Sequence, residues 1–204
     1  MAKANKTVTG QVAKFVNHGK TGGNRLLGVE AVFTTAGAKV PTELSNLCRL
    51  VLKANDTTGE KPKNLTANIP MTDFPAILEA AKRAYKDSLA DKKSNFEILK
   101  GQAKPKVSDE TEEGTLVYKA EIKYDASRTY PVTITVTNFR ATVTKAADGT
   151  LKYSSPSKEQ PYISVFCTAA EFLNKMTHIE SLYNSWMTAA AINGDFDRVP
   201  TESE

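Results

Sequence analysis

The stretch from Tyr162 to Met187 constrains the fold more than any other, because it joins a strand pattern directly to a helix pattern. Three apolar residues alternate with their neighbours at the two-residue period of a strand: Ile163, Val165 and Cys167. Thr168 follows, with Glu171 three residues later, which is the capping-box pattern of a helix start. An apolar stripe at helical spacing comes next: Phe172, Met176, Ile179, Tyr183 and Trp186. The stretch therefore predicts a strand that leads directly into a long helix.

The same pattern occurs once earlier in the chain. Residues 65–71 have the pattern of a strand, Thr72 is placed as an N-cap, and a helix is predicted from about Asp73 to Ala90. Further strand-like segments precede each strand–helix pair. The sequence therefore predicts an α+β fold of two successive ββββα units, with antiparallel sheets each packed by one long helix. We expect the first unit at 1–93, the second at 94–188, and a flexible acidic tail at 189–204.

The other strands follow from alternation and from the turn residues between them. The predicted segments are Lys6–Val16, Leu26–Thr35, Leu47–Ala54, Phe96–Ala103, Leu116–Tyr124, Tyr130–Lys145 and Leu151–Tyr153. In the first of these, Val8, Val12 and Val16 share one face. In the segment at 130–145 the apolar residues change from even to odd numbers near Asn138, which predicts a bulge or a break there.

Composition narrows the class of protein. The chain is 40% apolar, which is enough for a core, yet no run reaches the ~18 apolar residues of a membrane span. The N-terminus lacks the apolar segment of a secretory signal. Cys48 and Cys167 both fall on predicted strands, and we expect buried free thiols, since a disulfide would need an oxidising compartment. We place the protein in a cytoplasm and expect a bacterial, phage or mobile-element source.

The sequence contains no recognisable catalytic or metal-binding motif. It has 2 histidines, and its 2 cysteines lie far apart, so no zinc-site spacing exists. The segment at 19–21 resembles the end of a phosphate loop, but Lys14 stands where the first glycine is required and a strand follows. Glu30 and Glu121 show no pairing typical of acid–base catalysis. We therefore expect no catalytic residues, no metal and no cofactor.

The net charge of +4 hides an asymmetry between the two halves of the chain. Residues 1–106 carry 18 Lys and Arg against 9 Asp and Glu, a net charge of +9, whereas residues 107–204 carry 9 against 14, a net charge of −5. A basic half indicates an anionic partner, of which nucleic acid is the commonest. The alternative is that lysines on solvated faces simply keep the protein in solution.

Basic and aromatic residues on the predicted strands form the candidate site. Lysine and arginine neutralise phosphates, and aromatic rings stack on bases without reading their sequence. The glycine-rich loop at 18–25 could also close over a bound strand. The candidate nucleic-acid-binding residues are Lys14, Phe15, Lys20, Arg25, Arg49, Lys53, Lys119, Lys123, Tyr130, Arg140, Lys152 and Tyr153. The alternative for each is an ordinary exposed strand residue or, for the aromatic ones, a residue that covers the core.

The order of elements resembles that of the Whirly and Pur-repeat families, and of the transcriptional positive-cofactor family. The resemblance covers roughly Lys6–Met187 and is one of element order, since the Lys-Gly-Lys signature of plant Whirly proteins has no counterpart here. It implies helices packed against or between curved antiparallel sheets, and sheets that bind single-stranded DNA or RNA.

We therefore expect a non-enzymatic protein that binds single-stranded DNA or RNA largely independently of sequence and more weakly at high salt. The alternative is a protein-interaction module, an adaptor or an inhibitor of a host complex, whose contact surfaces are the acidic loop at Asp109–Glu113 and the acidic tail. An enzyme with an unfamiliar site is the third hypothesis. A homodimer would be one way to cover the edges of such sheets.

Overall fold

Ten strands and three helices make up the described part of the chain. The computed structural model describes residues 7–17, 24–38, 43–58, 63–90, 95–98, 115–141, 143–145, 147, 151–153 and 161–194. The strands are β1 Thr7–Val16, β2 Arg25–Thr34, β3 Arg49–Asp56, β4 Lys63–Pro70, β5 Asn95–Ile98, β6 Thr115–Asp125, β7 Val132–Ala141, β8 Val143–Lys145, β9 Leu151–Tyr153 and β10 Tyr162–Cys167. The helices are α1 Leu44–Leu47, α2 Phe74–Leu89 and α3 Ala169–Asn193.

The strands form two antiparallel sheets and a separate hairpin. The first sheet has the order β1-β2-β3-β4, the second has the order β10-β7-β6-β5, and β8 pairs with β9. The predicted α+β class with antiparallel sheets is therefore confirmed. The second half fits a ββββα unit only in part, because it has three strands of 6 residues or more, a β5 of 4 residues, and the inserted β8–β9 hairpin.

The inner face of the first sheet follows the predicted alternation in β2, β3 and β4. Residues at every second position of these strands are buried, while those between them, Gly28 excepted, are exposed or half-buried. The buried set is Leu27, Val29, Ala31, Phe33, Leu50, Leu52, Ala54, Leu65, Ala67 and Ile69.

The edge strand β1 departs from the prediction. Val8 and Val16 are 50% and 42% exposed, and the residues that enter the core are Ala13 and Phe15. The register between β1 and β2 shifts at Val12, which is an extra residue in the form of a β-bulge. Because a slip of one residue reverses the two faces of a strand, the bulge turns the odd-numbered side chains inward after it.

The predicted bulge near Asn138 is wrong. The pairing of β6 with β7 continues without a shift from Thr115 opposite Ala141 to Tyr124 opposite Val132. The apolar residues change from even to odd numbers because the outer face is also buried at the Ala141 end of β7. There Ala141 and Val117 form a small apolar cluster of their own. The strand break follows Ala141, before β8 begins.

A single apolar core lies between the two sheets and draws on both halves of the chain. A void of about 20 Å³ inside it is lined by residues of both sheets and both long helices, among them Leu50, Ile77, Ile134 and Phe172. Strand β10 contacts all four strands of the first sheet, so it lies across them. The segments 1–93 and 94–188 therefore share one core.

The two long helices pack against each other, and each also contacts the sheet of the other half. Helix α2 contacts β5, and α3 contacts β1. The rings of Tyr183 and Trp186 in α3 lie with their centroids 5.2 and 5.4 Å from that of Phe33 in β2. Each helix also lines the core together with residues of its own sheet, so the predicted packing within a unit is extended by packing between the two halves.

Helix α3 is longer than the sequence pattern predicts. It continues to Asn193 and ends where Gly194 takes the left-handed conformation, with φ 60°, that glycine adopts at helix C-termini. The predicted start of the tail at residue 189 is therefore wrong. The remainder of that predicted tail, 195–204, and the acidic loop at 109–113 lie outside the described residues.

The two predicted helix caps have different outcomes. Thr168 Oγ1 accepts a hydrogen bond of 3.1 Å from the backbone N–H of Glu171, which confirms the N-cap of α3. In α2 the N-cap position belongs to Asp73, and no side chain caps the described helix start, so the predicted cap at Thr72 is wrong.

We predict that Thr168→Ala lowers the free energy of unfolding by about 1 kcal/mol, because one amide of α3 loses its acceptor. Thr72→Ala is the matched control and should change it by less than about 0.5 kcal/mol, as at other exposed positions. Urea unfolding of both variants measures the two effects. Equal losses in the two variants would contradict the assigned caps.

Candidate nucleic-acid interface

Three predicted site residues, Lys14, Arg49 and Lys53, lie exposed on the outer face of the first sheet. Lys14 and Lys53 share one cross-strand row, separated by Gly28. The Nζ of Lys53 lies 2.6 Å from Oε2 of Glu30, so one of the three positive charges is offset locally. The described outer-face positions of this sheet contain no phenylalanine, tyrosine or tryptophan. This face therefore attracts anions but provides no ring on which a base could stack.

Arg25 has a structural role at the end of the same sheet. Its Nε donates to Oδ2 of Asp56 at 2.7 Å, and the Asp56 side chain is only 8% exposed. Oδ1 of Asp56 accepts from the hydroxyl of Thr58 at 2.5 Å and from its backbone N–H at 2.9 Å. These hydrogen bonds, the Thr58 hydroxyl first, lower the pKa of Asp56, and the Arg25 charge adds to the effect. Arg25 thus ties β2 to β3.

Phe15 is fully buried, which corrects its assignment to the binding surface. Its ring centroid lies 6.3 Å from that of Phe172, and the Nζ of Lys175 lies 4.3 Å above the ring. A ring in this position cannot stack on a base. The cause is the bulge at Val12, which directs Phe15 into the core.

Five more of the candidate nucleic-acid-binding residues have no confirmed place on a binding surface. Tyr130 is half-buried in the turn that joins β6 to β7. Lys20 and the side chains of Arg140, Lys152 and Tyr153 lie outside the described part of the chain. Their proposed roles stay predictions.

The outer face of the second sheet brings together residues from three strands. Pairing of β6 with β7 and of β7 with β10 aligns them in three cross-strand rows. The rows are Lys119–Thr137–Tyr162, Glu121–Thr135–Ser164 and Lys123–Thr133–Phe166. We call these nine residues the threonine face, since a column of three threonines runs through its centre.

A carboxylate joins the two lysines of the threonine face. Glu121 Oε1 lies 2.7 Å from Nζ of Lys119, and Glu121 Oε2 lies 2.9 Å from Nζ of Lys123. The Glu121 side chain is 15% exposed, whereas that of Lys123 is 54% exposed. The three groups together carry one net positive charge, and the carboxylate fixes the position of both ammonium groups.

Aromatic rings stand on the opposite edge of the threonine face. Tyr162 is 57% exposed and Phe166 is half-buried. Between them the Ser164 and Thr135 hydroxyls lie 2.8 Å apart, within hydrogen-bonding distance. Neighbouring strands lie about 4.8 Å apart, so the backbone of each aromatic residue lies about 10 Å from the backbone of the lysine in its row.

Sequence reasoning identified the two lysines of this face but missed both rings. The alternation in β10 did place Tyr162 and Phe166 on the face opposite Ile163, Val165 and Cys167. What the sequence did not contain was the register that sets β10 beside β7. A search for aromatic residues on polar strand faces would have selected Tyr162.

Neither cysteine thiol lies on the surface of the fold. Cys48 and Cys167 are buried free thiols, as predicted. Burial raises the pKa of Cys48, and it raises that of Cys167 to about 12. No group of three or more potential metal ligands occurs among the described residues. None of the described helices is long and apolar enough to cross a membrane.

Comparison with known proteins gives no assignment: no family model, curated protein or solved structure matches this chain. The resemblance to the Whirly and Pur-repeat families therefore rests on element order alone.

The Asp56 contacts predict a pH dependence of stability. A carboxyl whose pKa is lowered on folding contributes stability above its unfolded value, here 3.8, and loses it as the pH falls through the folded value. The free energy of unfolding should therefore fall more steeply below about pH 5 in the native protein than in Asp56→Asn. Urea unfolding at a series of pH values measures this difference. A difference that stays constant from neutral pH to about pH 3 would contradict the prediction.

Proposed function

We propose that this protein binds single-stranded nucleic acid on the threonine face, without catalysis and largely independently of base sequence. The observation that carries the proposal is the alignment of Tyr162 and Phe166 with Lys119 and Lys123 in two cross-strand rows. Rings on one side of the face and ammonium groups on the other match the two parts of a single strand, its bases and its phosphates.

The two kinds of contact have different energetic roles. Stacking of a base on an aromatic side chain contributes about 1–3 kcal/mol and tolerates any base, because every base has a flat aromatic surface. Phosphate contacts release counterions, so they make the affinity fall as salt rises. Stacking requires bases that are not already paired and stacked in a duplex. This requirement is what favours a single strand over a duplex as the ligand.

The outer face of the first sheet is the competing site, and it is the more basic of the two. Lys14, Arg49 and Lys53 with Glu30 give it two net positive charges. Lys119, Glu121 and Lys123 give the threonine face one, and β5 pairs Glu97 with Lys123 at its border. It offers phosphate contacts but no stacking, so it would bind duplex and single strand alike. We assign the preference for single strands to the threonine face. The outer face of the first sheet contributes only non-specific electrostatic attraction.

The lysine contribution is tested by Lys119→Ala with Lys123→Ala. Each lost phosphate contact reduces the slope of log K against log[salt] by about 0.7 for a single strand, so we expect a reduction of up to about 1.4. The matched control is Lys14→Ala with Lys53→Ala, which removes the same charge, including one partner of a carboxylate, from the other sheet. Fluorescence anisotropy with a labelled single strand at several salt concentrations gives both slopes. A larger reduction in the control pair would assign binding to the first sheet instead.

The stacking contribution is tested by Tyr162→Ala. We expect the affinity for a single strand to fall by about 1–3 kcal/mol while the salt slope stays unchanged, since no charge is removed. Tyr162→Phe retains the ring and should bind as the native protein does. The same anisotropy titrations measure both variants. Native affinity in Tyr162→Ala would exclude stacking at this position.

The proposal extends to the internal organisation of the chain. The first sheet takes its strands in the order β1, β2, β3, β4 and the second in the order β5, β6, β7, β10, and each is followed by a long helix. This common order supports descent of the halves from one ββββα unit, with β8–β9 inserted into the second copy. It is also the basis for retaining the resemblance to the Whirly and Pur-repeat families as part of the proposal. The cytoplasmic location and the phage or mobile-element source rest on the sequence alone and are retained as proposals.

The protein-interaction module is the alternative outcome of these tests. Its predicted surfaces, the acidic loop at 109–113 and the tail after Gly194, lie outside the described residues. A protein partner that stays bound after nuclease treatment, together with no binding of single strands at low salt, would favour it.

A further inference from the structure

The two edge strands of the first sheet differ in their contacts with the rest of the fold. Strand β4 forms one edge and contacts β6 and β7 of the second sheet. Strand β1 forms the other edge and contacts β10 and α3. Nζ of Lys175 in α3 donates to the backbone oxygen of Lys14, past the bulge of β1. The five residues Thr7–Gln11, before the bulge, are all exposed.

The backbone geometry shows which groups of this open segment point outward. In an antiparallel pair, residues alternate between those that bond to the partner strand and those whose N–H and C=O point away from it. The hydroxyls of Thr7 and Thr34 lie only 2.8 Å apart, as expected for the closer, non-hydrogen-bonded kind of pair. Thr7, Thr9 and Gln11 therefore turn their backbone groups to the open edge.

Within the part of the chain that the structure describes, the open segment has none of the features that usually protect an edge. Such features are lysine, proline, a bulge or a covering element. The residues from Thr7 to Ala13 include no charged residue and no proline, and the bulge lies only at their end, at Val12. Past the bulge the edge does have protection, since Lys14 is charged and Lys175 occupies its carbonyl oxygen.

We propose that this segment pairs with the same segment of a second copy of the chain, in antiparallel orientation about a two-fold axis at Thr9. Pairing Thr9 with Thr9 sets Thr7 opposite Gln11, so each outward group meets its complement and about six backbone hydrogen bonds can form. No like charges oppose each other, because the segment carries none. The two first sheets become one continuous sheet of eight strands.

A second copy is the occupant that these residues favour over a foreign strand. The segment carries no charge that would repel a second copy, and its outward backbone groups can pair with those of the same segment. Its β-branched residues Thr7, Val8 and Thr9 suit cross-strand pairing. The interface is small, so association should be weak and dependent on protein concentration. The threonine face belongs to the other sheet, so the proposal does not depend on nucleic-acid binding.

Sedimentation velocity of the nuclease-treated full chain over a range of concentrations tests the proposal. The native protein should shift from monomer towards dimer as its concentration rises. Thr9→Lys places two like charges opposite each other and should weaken association by about tenfold or more. Thr9→Pro removes an outward N–H without touching the β1–β2 bonds and should have the same effect.

Thr72→Lys is the matched control, since it makes the same replacement at an exposed position away from the edge, and it should associate as the native protein does. Circular dichroism and urea unfolding establish that each variant is folded. A native protein that stays monomeric at every concentration, or Thr9 variants that dimerise as the native chain does, would overturn the proposal. If the native protein stays monomeric, a strand of a different protein is the remaining candidate for pairing with this edge.

Discussion

The whole structure depends on one apolar core shared by the two halves of the chain. Each sheet has one apolar face, and neither face is covered by its own half alone. Strand β10 lies across the first sheet, and the stripe of α3 that includes Phe172 and Ile179 fills the space between the sheets together with Ile77 of α2. Removing either half would expose the inner face of the other to water, at a cost of about 25 cal/mol for each Å² of apolar surface.

This shared core determines what the outer faces can do. Because both inner faces are used for folding, a ligand can reach only the outer ones. Val117 and Ala141 are buried at one end of the second outer face, and the accessible parts of the two outer faces differ in chemistry. The first presents charge without rings, whereas the second presents threonines flanked by Tyr162 and Phe166 on one side and two lysines on the other. Glu121 and the Ser164–Thr135 contact hold the second face in a defined arrangement before any ligand arrives. A face that is ordered in advance loses less entropy on binding.

Local sequence signals predicted the elements well, because the physics behind them is local. Alternation identified the inner residues of β2, β3 and β10, and the cap at Thr168 depends on a residue only three positions away. Non-local geometry could not be read in the same way. The extra residue at Val12 leaves no mark in the sequence, yet it moves Phe15 from the surface to the core. The row that joins Lys119 to Tyr162 depends on the register of β10 beside β7, whose paired residues lie 25 or more positions apart in sequence, and only tertiary packing fixes that register.

The most direct test of the central claim is the affinity of the native protein for a labelled single strand and for the matching duplex, measured by fluorescence anisotropy at low and at physiological salt. The account predicts binding that weakens as salt rises, with a preference for the single strand that persists at both salt concentrations, since stacking is insensitive to salt. Equal affinity for single strand and duplex, or no binding of either at low salt, would contradict it.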